Sequence, residues 1–428
     1  MTSDPQFLEV AVTELRLGLY VALDLRWIEH PFVTGQFLIK SAEQLAILRT
    51  LGMGRVRVLP QHCDPQALAA LQGLDRAGPA GIAAKDLPAP AEASRRCHRE
   101  LLAAQCTSMA HSQHMHGKAV QGWLAVMRDA TKNPAAAAAT AHALSGQLVQ
   151  EVTGSDDTII RVLSEAAGTG SVQHAINVTV MSLMLARRLD LPGLDLKDVA
   201  LGALVHDIGK LALPQMLRHP GADGALAARA QREHVALGLR LGMSMDLAAD
   251  VMRVIAQHHE LMDGSGLPQG LTGEDIAPAA RIVAVADRYD RLCNPAEGGA
   301  GRTPHEAQAL LYGQLRHQLD LRVLTTFIKL VGVYPPGSVV QLGDGRYALV
   351  VSNNPHQPLK PTVLVHDAGV PREEALLIDL LRAPDLGIRR SLHPQHLPRA
   401  TLDYLSPGQR MHYYFAHEPA SAPLEALA

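Results

Sequence analysis

The chain has 428 residues, a formal net charge of −3 with both signs well mixed, and 47% hydrophobic but only 4% aromatic residues. That length suits two or three domains, and an apolar share dominated by Ala and Leu favours packed helices over a β-sandwich. The charge excludes an electrostatic grip on duplex nucleic acid or on a membrane surface.

Residues 7–60 read as a small α+β unit. Val10–Leu17 and Tyr20–Leu25 alternate apolar and polar residues in places, as half-buried strands do. Ser41–Leu51 has the pattern of a short amphipathic helix capped by Ser41 and ended near Gly52 and Gly54, and Arg55–Leu59 reads as a returning strand. The Pro/Ala/Gly-rich stretch from Gly78 to Ser94 reads as a linker. Two long helical segments are expected next, Ser94–Ala130 and Pro134–Ala167, and helical patterns continue to about Val331. The composition then changes to short β segments separated by turn residues, with Gly343–Gly345 as a hairpin signal. Residues 338–366 suggest a small barrel-like appendage for packing or partner docking, followed by a mixed region and a weakly ordered Ala/Pro tail.

The fold expected is multidomain: a mainly all-α core, preceded by a small α+β domain and followed by a short β-rich segment. The boundaries are 1–77, a linker at 78–93, connecting helices at 94–167, the helical core at 168–333 and the C-terminal extension at 334–428. Cys63, Cys97, Cys106 and Cys293 form no CxxC pair, which argues for a reducing compartment. With no secretory signal at the N-terminus and no apolar run of bilayer length, the expected location is the cytoplasm.

The histidine count, 21, is high. Five helical segments each present a potential metal ligand on or beside an apolar stripe: His174 in Val172–Leu189, His206-Asp207 in Asp198–Leu213, His234 in Ala227–Leu241, His258-His259 in Leu247–Glu260, and Asp287 in the helix opened by Pro278. Such stripes face the interior, so the five helices can point these groups into one site. Burying so many polar groups is costly unless something satisfies them, and a metal cluster would. Imidazole with carboxylate suits divalent iron, manganese or zinc. Seven ligands exceed one tetrahedral site but match two ions sharing a carboxylate, a pair that can generate a hydroxide and clamp a phosphoryl group. Lys210, four residues from His206, is placed to meet a phosphate oxygen or position the nucleophile. Each piece alone has a simpler explanation, since His-Asp pairs occur by chance and His258-His259-Glu260 fits a polar helix terminus. The combination is harder to explain that way. His98, Cys106, His111, His114 and His116 also cluster on one helix and read as a solvated face.

The segments Gln173-His-Ala-Ile-Asn-Val, His206-Asp-Ile-Gly-Lys, Glu233-His-Val-Ala-Leu-Gly, His258-His-Glu-Leu-Met-Asp-Gly-Ser-Gly-Leu-Pro and Arg281-Ile-Val-Ala-Val-Ala-Asp-Arg-Tyr-Asp resemble, in order and spacing, the HD-GYP family of HD phosphohydrolases. Residues 7–60, especially Glu14–Val21 and Trp27–Phe37, resemble an uncharacterised α+β domain that often precedes it. The resemblance implies metal-dependent hydrolysis of the bacterial second messenger cyclic di-GMP to linear pGpG and on to GMP, with two divalent ions, iron or manganese first. It implies His174, His206, Asp207 and Asp287 on one metal, and His234, His258 and His259 on the other with Asp207 bridging. Lys210 would assist at the phosphate. The loop of Asp263, Gly264, Gly266, Leu267 and Pro268 would shape the site and engage signalling partners, and a homodimer is also open.

Three positions depart from the family pattern. The signature Gly-Tyr-Pro reads Gly266-Leu267-Pro268, and an extra Glu ligand found in some members is Gly170 here, which points to two metals instead of three. The basic segment expected after the last helix is replaced by Asn294–Gly301, leaving Arg302 as the substitute for substrate phosphate. A weak or inactive cyclic di-GMP receptor and an HD-type hydrolase of another nucleotide phosphoester therefore stay open as alternatives.

Overall fold

The computed structural model describes residues 7–23, 36–41, 44–45, 48–49, 54–72, 90–155, 158–163, 170–218, 224–295, 301–354, 357–383, 386–408 and 410–417. The chain forms two compact units. One holds residues 1–106, 367–376 and 420–428, and the other holds 107–366 and 377–419.

The first unit is built on a four-stranded antiparallel sheet of β1 (Leu8–Ala11), β2 (Tyr20–Ala22), β3 (Gln36–Leu38) and β4 (Arg55–Val58), in the order β1-β4-β2-β3. Its core gathers Val10, Leu15, Leu19, Val21, Ile39, Leu48, Val56 and Val58. The first strand is shorter than the sequence suggests, because the chain leaves the sheet at Val12–Glu14 in a 3-10 turn. The helix expected after Ser41 is seen at Gln44, Leu45, Leu48 and Arg49. Ser41 Oγ accepts from Gln44 N (3.1 Å), and Gln44 Oε1 accepts from Ser41 N (3.3 Å), so the two residues close a reciprocal cap. Trp27 and most of the 78–93 linker lie outside the described residues, as do 418–428 of the expected tail. Helix α1 (Pro65–Gln72) follows the sheet.

Helix α2 (Pro90–Asp129) starts four residues before the expected Ser94. Helix α3 (Pro134–Thr153) opens as its sequence indicates, with Pro134 at its first position and Asn133 Oδ1 accepting from Ala136 N (3.3 Å). It does not reach Ala167. The chain breaks at Gly154-Ser155 and becomes a fully buried strand, β5 (Thr158–Val162), where a helix was expected. The β-branched run Thr158-Ile-Ile supports that outcome locally. What decides it is a distant partner: β5 pairs antiparallel with β11 (Tyr413–His417), from Val162↔Tyr413 to Thr158↔His417.

The helical core comprises α4 (Gly170–Leu189), α5 (Leu196–Val205), a short α6 (Gln215–Arg218), α7 (Gly224–Ser244), α8 (Ala249–Gln257), α9 (Pro278–Cys293), α10 (Pro304–Gln314) and α11 (Leu321–Val331). Helix α4 is buried along nearly its whole length and packs against α5, α9, α11 and β11. Two helices end earlier than their apolar stripes suggest. Helix α5 stops at Val205, so His206-Asp207 sit in a turn before the 3-10 segment Ile208–Ala212. Helix α8 stops at Gln257, so His258-His259 follow its end.

The C-terminal strands β6 (Val339–Leu342), β7 (Tyr347–Ser352), β8 (Thr362–Val365), β9 (Leu377–Asp379) and β10 (Ile388–Leu392) join β5 and β11 in a single seven-stranded sheet, with helix α12 (Arg399–Leu405) beside it. The β6–β7 turn at Gly343–Gly345 closes with Leu342 N donating to Arg346 O (2.8 Å). Tyr413, Tyr414 and Phe415 of β11 belong to the same hydrophobic core as α4 and α9, whereas Val340, Leu342, Ala348, Val350, Val363 and Val365 of the 338–366 segment form a core of their own. Among the described residues, no helix is long and apolar enough to cross a membrane. Phe415 is 1% exposed, so Phe415→Ala should destabilise this unit by about 3–5 kcal/mol in chemical denaturation. An unchanged midpoint would contradict the placement of β11.

Candidate metal centre

The site is assembled where three helix ends meet two helix interiors. His174 projects from the first turns of α4, Asp287 from the middle of α9 and His234 from α7, while His206-Asp207 and His258-His259 cap α5 and α8. The 3-10 segment after Asp207 lies against α7 backbone to backbone. A Cβ on Gly209 would stand 1.9 Å from His234 O, so only glycine permits the approach that brings Asp207 to His234.

Two groups of donors result, with Asp207 in both: His174, His206, Asp207 and Asp287, and Asp207, His234, His258 and His259. Within each group the ligand atoms all lie within 4.8 Å of one another. The two oxygens of Asp207 divide between them. Oδ2 is 3.5 Å from both His174 Nε2 and His206 Nε2, and Oδ1 is 3.3 Å from His234 Nε2 and 3.8 Å from His258 Nε2. All seven residues expected as ligands are thus brought together.

Their other atoms are already committed. His206 Nδ1 pairs with Ala203 O (2.6 Å), His234 Nδ1 with Ala230 O (3.0 Å) and His258 Nδ1 with Ile255 O (3.0 Å). Each helix supplies a carbonyl three or four residues back, which fixes the ring and aims Nε2 at the centre. His174 Nδ1 pairs with Asp290 Oδ2 (2.6 Å). Three buried atoms at the centre, Asp207 Oδ1, His259 Nε2 and Asp287 Oδ1, make no hydrogen bond, the last facing the Arg291 guanidinium as an ion pair. Orphaned acceptors among neutral imidazoles are costly without a cation, so the nitrogen and oxygen donors fit divalent ions well.

The electrostatics separate the histidines. Burial drives His258 down to about 3 and His234 to about 4, and pushes His259 well below its ordinary value, so these rings are neutral. Burial also opposes protonation of His206, but Asp207 and Asp287 outweigh it and raise that ring to about 9. A divalent ion bound at Nε2 would displace the proton. Burial opposes ionisation of Asp207, yet Lys210, His206 and Arg291 hold its carboxyl well below the ordinary range.

Several residues at the site carried no role in the sequence reading. Asp290 is fully buried and orients His174, and its Oδ1 accepts from Asn177 Nδ2 (2.7 Å) and Asn294 Nδ2 (2.8 Å). Asn177 also donates to Met411 O (2.8 Å) and accepts from Tyr413 N (2.9 Å), tying the C-terminal strand to this support. Arg291 spans both carboxylates, with Nη2 2.9 Å from Asp207 Oδ2 and Nε 2.8 Å from Asp287 Oδ1. Spacing held the signal: Asn177 is three residues after His174, and Asp290 and Arg291 are three and four after Asp287.

The remaining expected residues divide. Lys210 Nζ contacts Asp207 Oδ2 from the 3-10 segment, so it reaches the site without sharing a helix face with His206. Asp263 is exposed, and its Oδ1 accepts from Ser265 N (3.0 Å) and Oγ (2.6 Å) within the loop. Gly264 has φ +78°, and a Cβ on Gly266 would stand 2.3 Å from Leu261 N, so both glycines shape the loop. Buried Glu260 pins it by accepting from Gln269 N (2.7 Å) and Leu271 N (2.9 Å). Arg302 is exposed, and its backbone N donates to Leu292 O (2.8 Å) at the end of α9. His116 is not on a solvated face: it is 1% exposed, meets Gln173 Nε2 at 3.0 Å, and burial lowers it to about 4.

Helical packing of this kind, with buried His and Asp donors sharing one carboxylate, defines an HD-type metal-binding domain, and residues 158–323 match the model of the HD domain. Residues 8–141 match a domain of unknown function, DUF3391. A cyclic di-GMP phosphodiesterase of Pseudomonas aeruginosa is 31% identical over 83% of this chain and 84% of its own length. The chain belongs to the HD-GYP family. A cyclic di-GMP phosphodiesterase response regulator of Xanthomonas campestris pv. campestris is 34% identical over 34% of this chain and 39% of its own. A 3'3'-cGAMP-specific phosphodiesterase of Vibrio cholerae is 28% identical over 38% and 35%.

Two outcomes follow for the centre. Asp290→Asn should weaken divalent-metal affinity by roughly 10- to 100-fold, read by competition with a chelating dye, because the carboxylate that orients His174 is lost. Unchanged affinity would remove Asp290 from the site. The metal-free protein should also be most stable near pH 6.5. His234 and His258 are neutral in the fold, so their contribution is lost as pH falls from 6.5 toward about 4 and 3, while that of His206 is lost as pH rises through about 9. Calorimetric melting across pH 4–9 checks this, and a flat profile between pH 4 and 6.5 would contradict it.

Proposed function

We propose that this protein is a cyclic di-GMP phosphodiesterase holding two divalent ions, iron or manganese, that opens its substrate to pGpG and carries it on to GMP. The observation that carries the reading is the meeting of two complete donor groups on the two oxygens of Asp207. Bound divalent ions would supply Lewis acidity for attack of water on a phosphodiester.

The chain's own residues prepare that chemistry. Asp207 joins the donor groups through opposite oxygens, and the helix carbonyls and Asp290 keep the imidazoles aimed. Lys210 lies at Asp207 Oδ2 with its side chain 39% exposed, where a cation can meet a phosphate oxygen. Glu260 holds the loop from Gln269 to Leu271 against the end of α8.

A second reading, binding without turnover, is favoured by one observation: the stretch Asn294–Gly301 after α9 carries no Lys or Arg, and Arg302 beyond it is exposed. Purified protein supplied anaerobically with Mn²⁺ or Fe²⁺ should convert cyclic di-GMP to pGpG and GMP on product chromatography, and Asp207→Ala should abolish both turnover and metal retention. Tight binding with no product would leave the receptor reading. Hydrolysis of 3'3'-cGAMP but not cyclic di-GMP would overturn the substrate assignment.

A further inference from the structure

The geometry points to Arg291 as the residue that grips the phosphodiester once the donors are engaged by metal, an inference that rests on the hydrolase reading above. Its guanidinium lies across one carboxylate from each side of the centre, 2.9 Å from Asp207 Oδ2 and 2.8 Å from Asp287 Oδ1. Its side chain is 31% exposed, while those of Asp207 and Asp287 are 14% and 2% exposed, so the arginine forms part of the solvent-facing wall over buried acids.

Charge balance gives this position its consequence. The described centre sets the carboxylates of Asp207, Asp287 and Asp290 against the cations of Lys210 and Arg291. Without metal, Arg291 serves as a counter-ion to Asp207 and Asp287. Two divalent ions would take up the lone pairs of Asp207 and Asp287 and turn the centre strongly positive. Arg291 can neither ligate a metal nor lose its proton, so its planar fork of donors is released toward an anion. A phosphodiester offers two non-bridging oxygens in the spacing that such a fork matches.

Lys210 is the other cation at Asp207 Oδ2, a point charge where Arg291 offers a planar fork. The stretch Asn294–Gly301 after α9 contains no Lys or Arg, and Arg302, beyond it, is exposed, with its backbone N donating to Leu292 O (2.8 Å) at the end of α9. Arg291 sits one turn before that stretch, on α9 itself, held by the helix that also presents Asp287 and Asp290. The phosphate grip expected from the loop is supplied from within the helix.

The test compares Mn²⁺-loaded full-length wild type with Arg291→Ala and Arg291→Lys. Metal content is read by elemental analysis, and binding of a non-hydrolysable phosphorothioate analogue of cyclic di-GMP by titration calorimetry. KM and kcat are measured with cyclic di-GMP and with bis(4-nitrophenyl) phosphate. In R291A, Mn²⁺ is expected to be retained while Kd and KM rise on the order of tenfold to a hundredfold, with a smaller change in kcat. R291K should recover part of the loss, since a point charge replaces the fork. Unchanged Kd and KM in R291A, or an affinity loss that only tracks lost Mn²⁺, would overturn the inference. If R291A fails to fold, R291Q, which keeps the stem and drops the charge, reads the same quantities. Wild type that ignores cyclic di-GMP but hydrolyses the generic diester, with KM raised in R291A, sinks the substrate assignment and leaves Arg291 in its role. Turnover of cyclic di-GMP equal in wild type and R291A does the reverse.

Discussion

The structure around this site depends on one buried carboxylate. Asp207 must face two sets of imidazoles at once, Oδ2 toward His174 and His206 and Oδ1 toward His234 and His258. A carboxylate in that position is strongly desolvated, and it keeps its charge because cations surround it. The geometry of the chain serves this demand. Helix α5 ends one residue before His206, the backbone turns tightly, and Gly209 lets the following segment press against α7 at His234. A side chain at position 209 would push α7 away and separate the two donor sets.

Around that carboxylate the support is arranged in depth. Asp290 receives His174, Asn177 and Asn294, and the two asparagines also hold the backbone of Met411 and Tyr413. Strand β11 is thereby joined to the metal centre by hydrogen bonds as well as by the apolar contacts of Tyr413, Tyr414 and Phe415. Buried polar networks of this kind are specific because an unmet partner is expensive in a low-dielectric interior. The same reasoning applies to Glu260, which secures the loop beyond α8 by accepting from two backbone donors.

Identical side chains behave differently across the site because their surroundings differ. His206 lies between two carboxylates and favours its proton, whereas His234 and His258, equally buried but packed among other imidazoles, shed theirs. Lys210 and Arg291 approach the same oxygen of Asp207 from different elements, the first from a 3-10 turn and the second from helix α9. Both stand at the exposed rim of the centre, where positive charge is useful to an anionic substrate.

The amino-acid sequence by itself determined the candidate donors and the class of fold. Donors such as His206-Asp207 and His258-His259 are local in the chain, and they lie beside apolar stripes whose helical period places them inward. The α+β start, the helical middle and the β-rich end are likewise properties of local composition and turn residues. The tertiary structure decided what depends on partners remote in sequence. Thr158–Val162 reads as the end of a helix until β11, some 250 residues later, offers it a ladder. The helix ends at Val205 and Gln257 depend on how the elements pack, since the apolar pattern continues past both. Arg291 looks like an ordinary helix-surface arginine in the sequence, and its place over Asp207 exists only because α5 and α9 converge. Periodicity reports which way a side chain faces along its own element, but which charges meet there is fixed by how the elements pack.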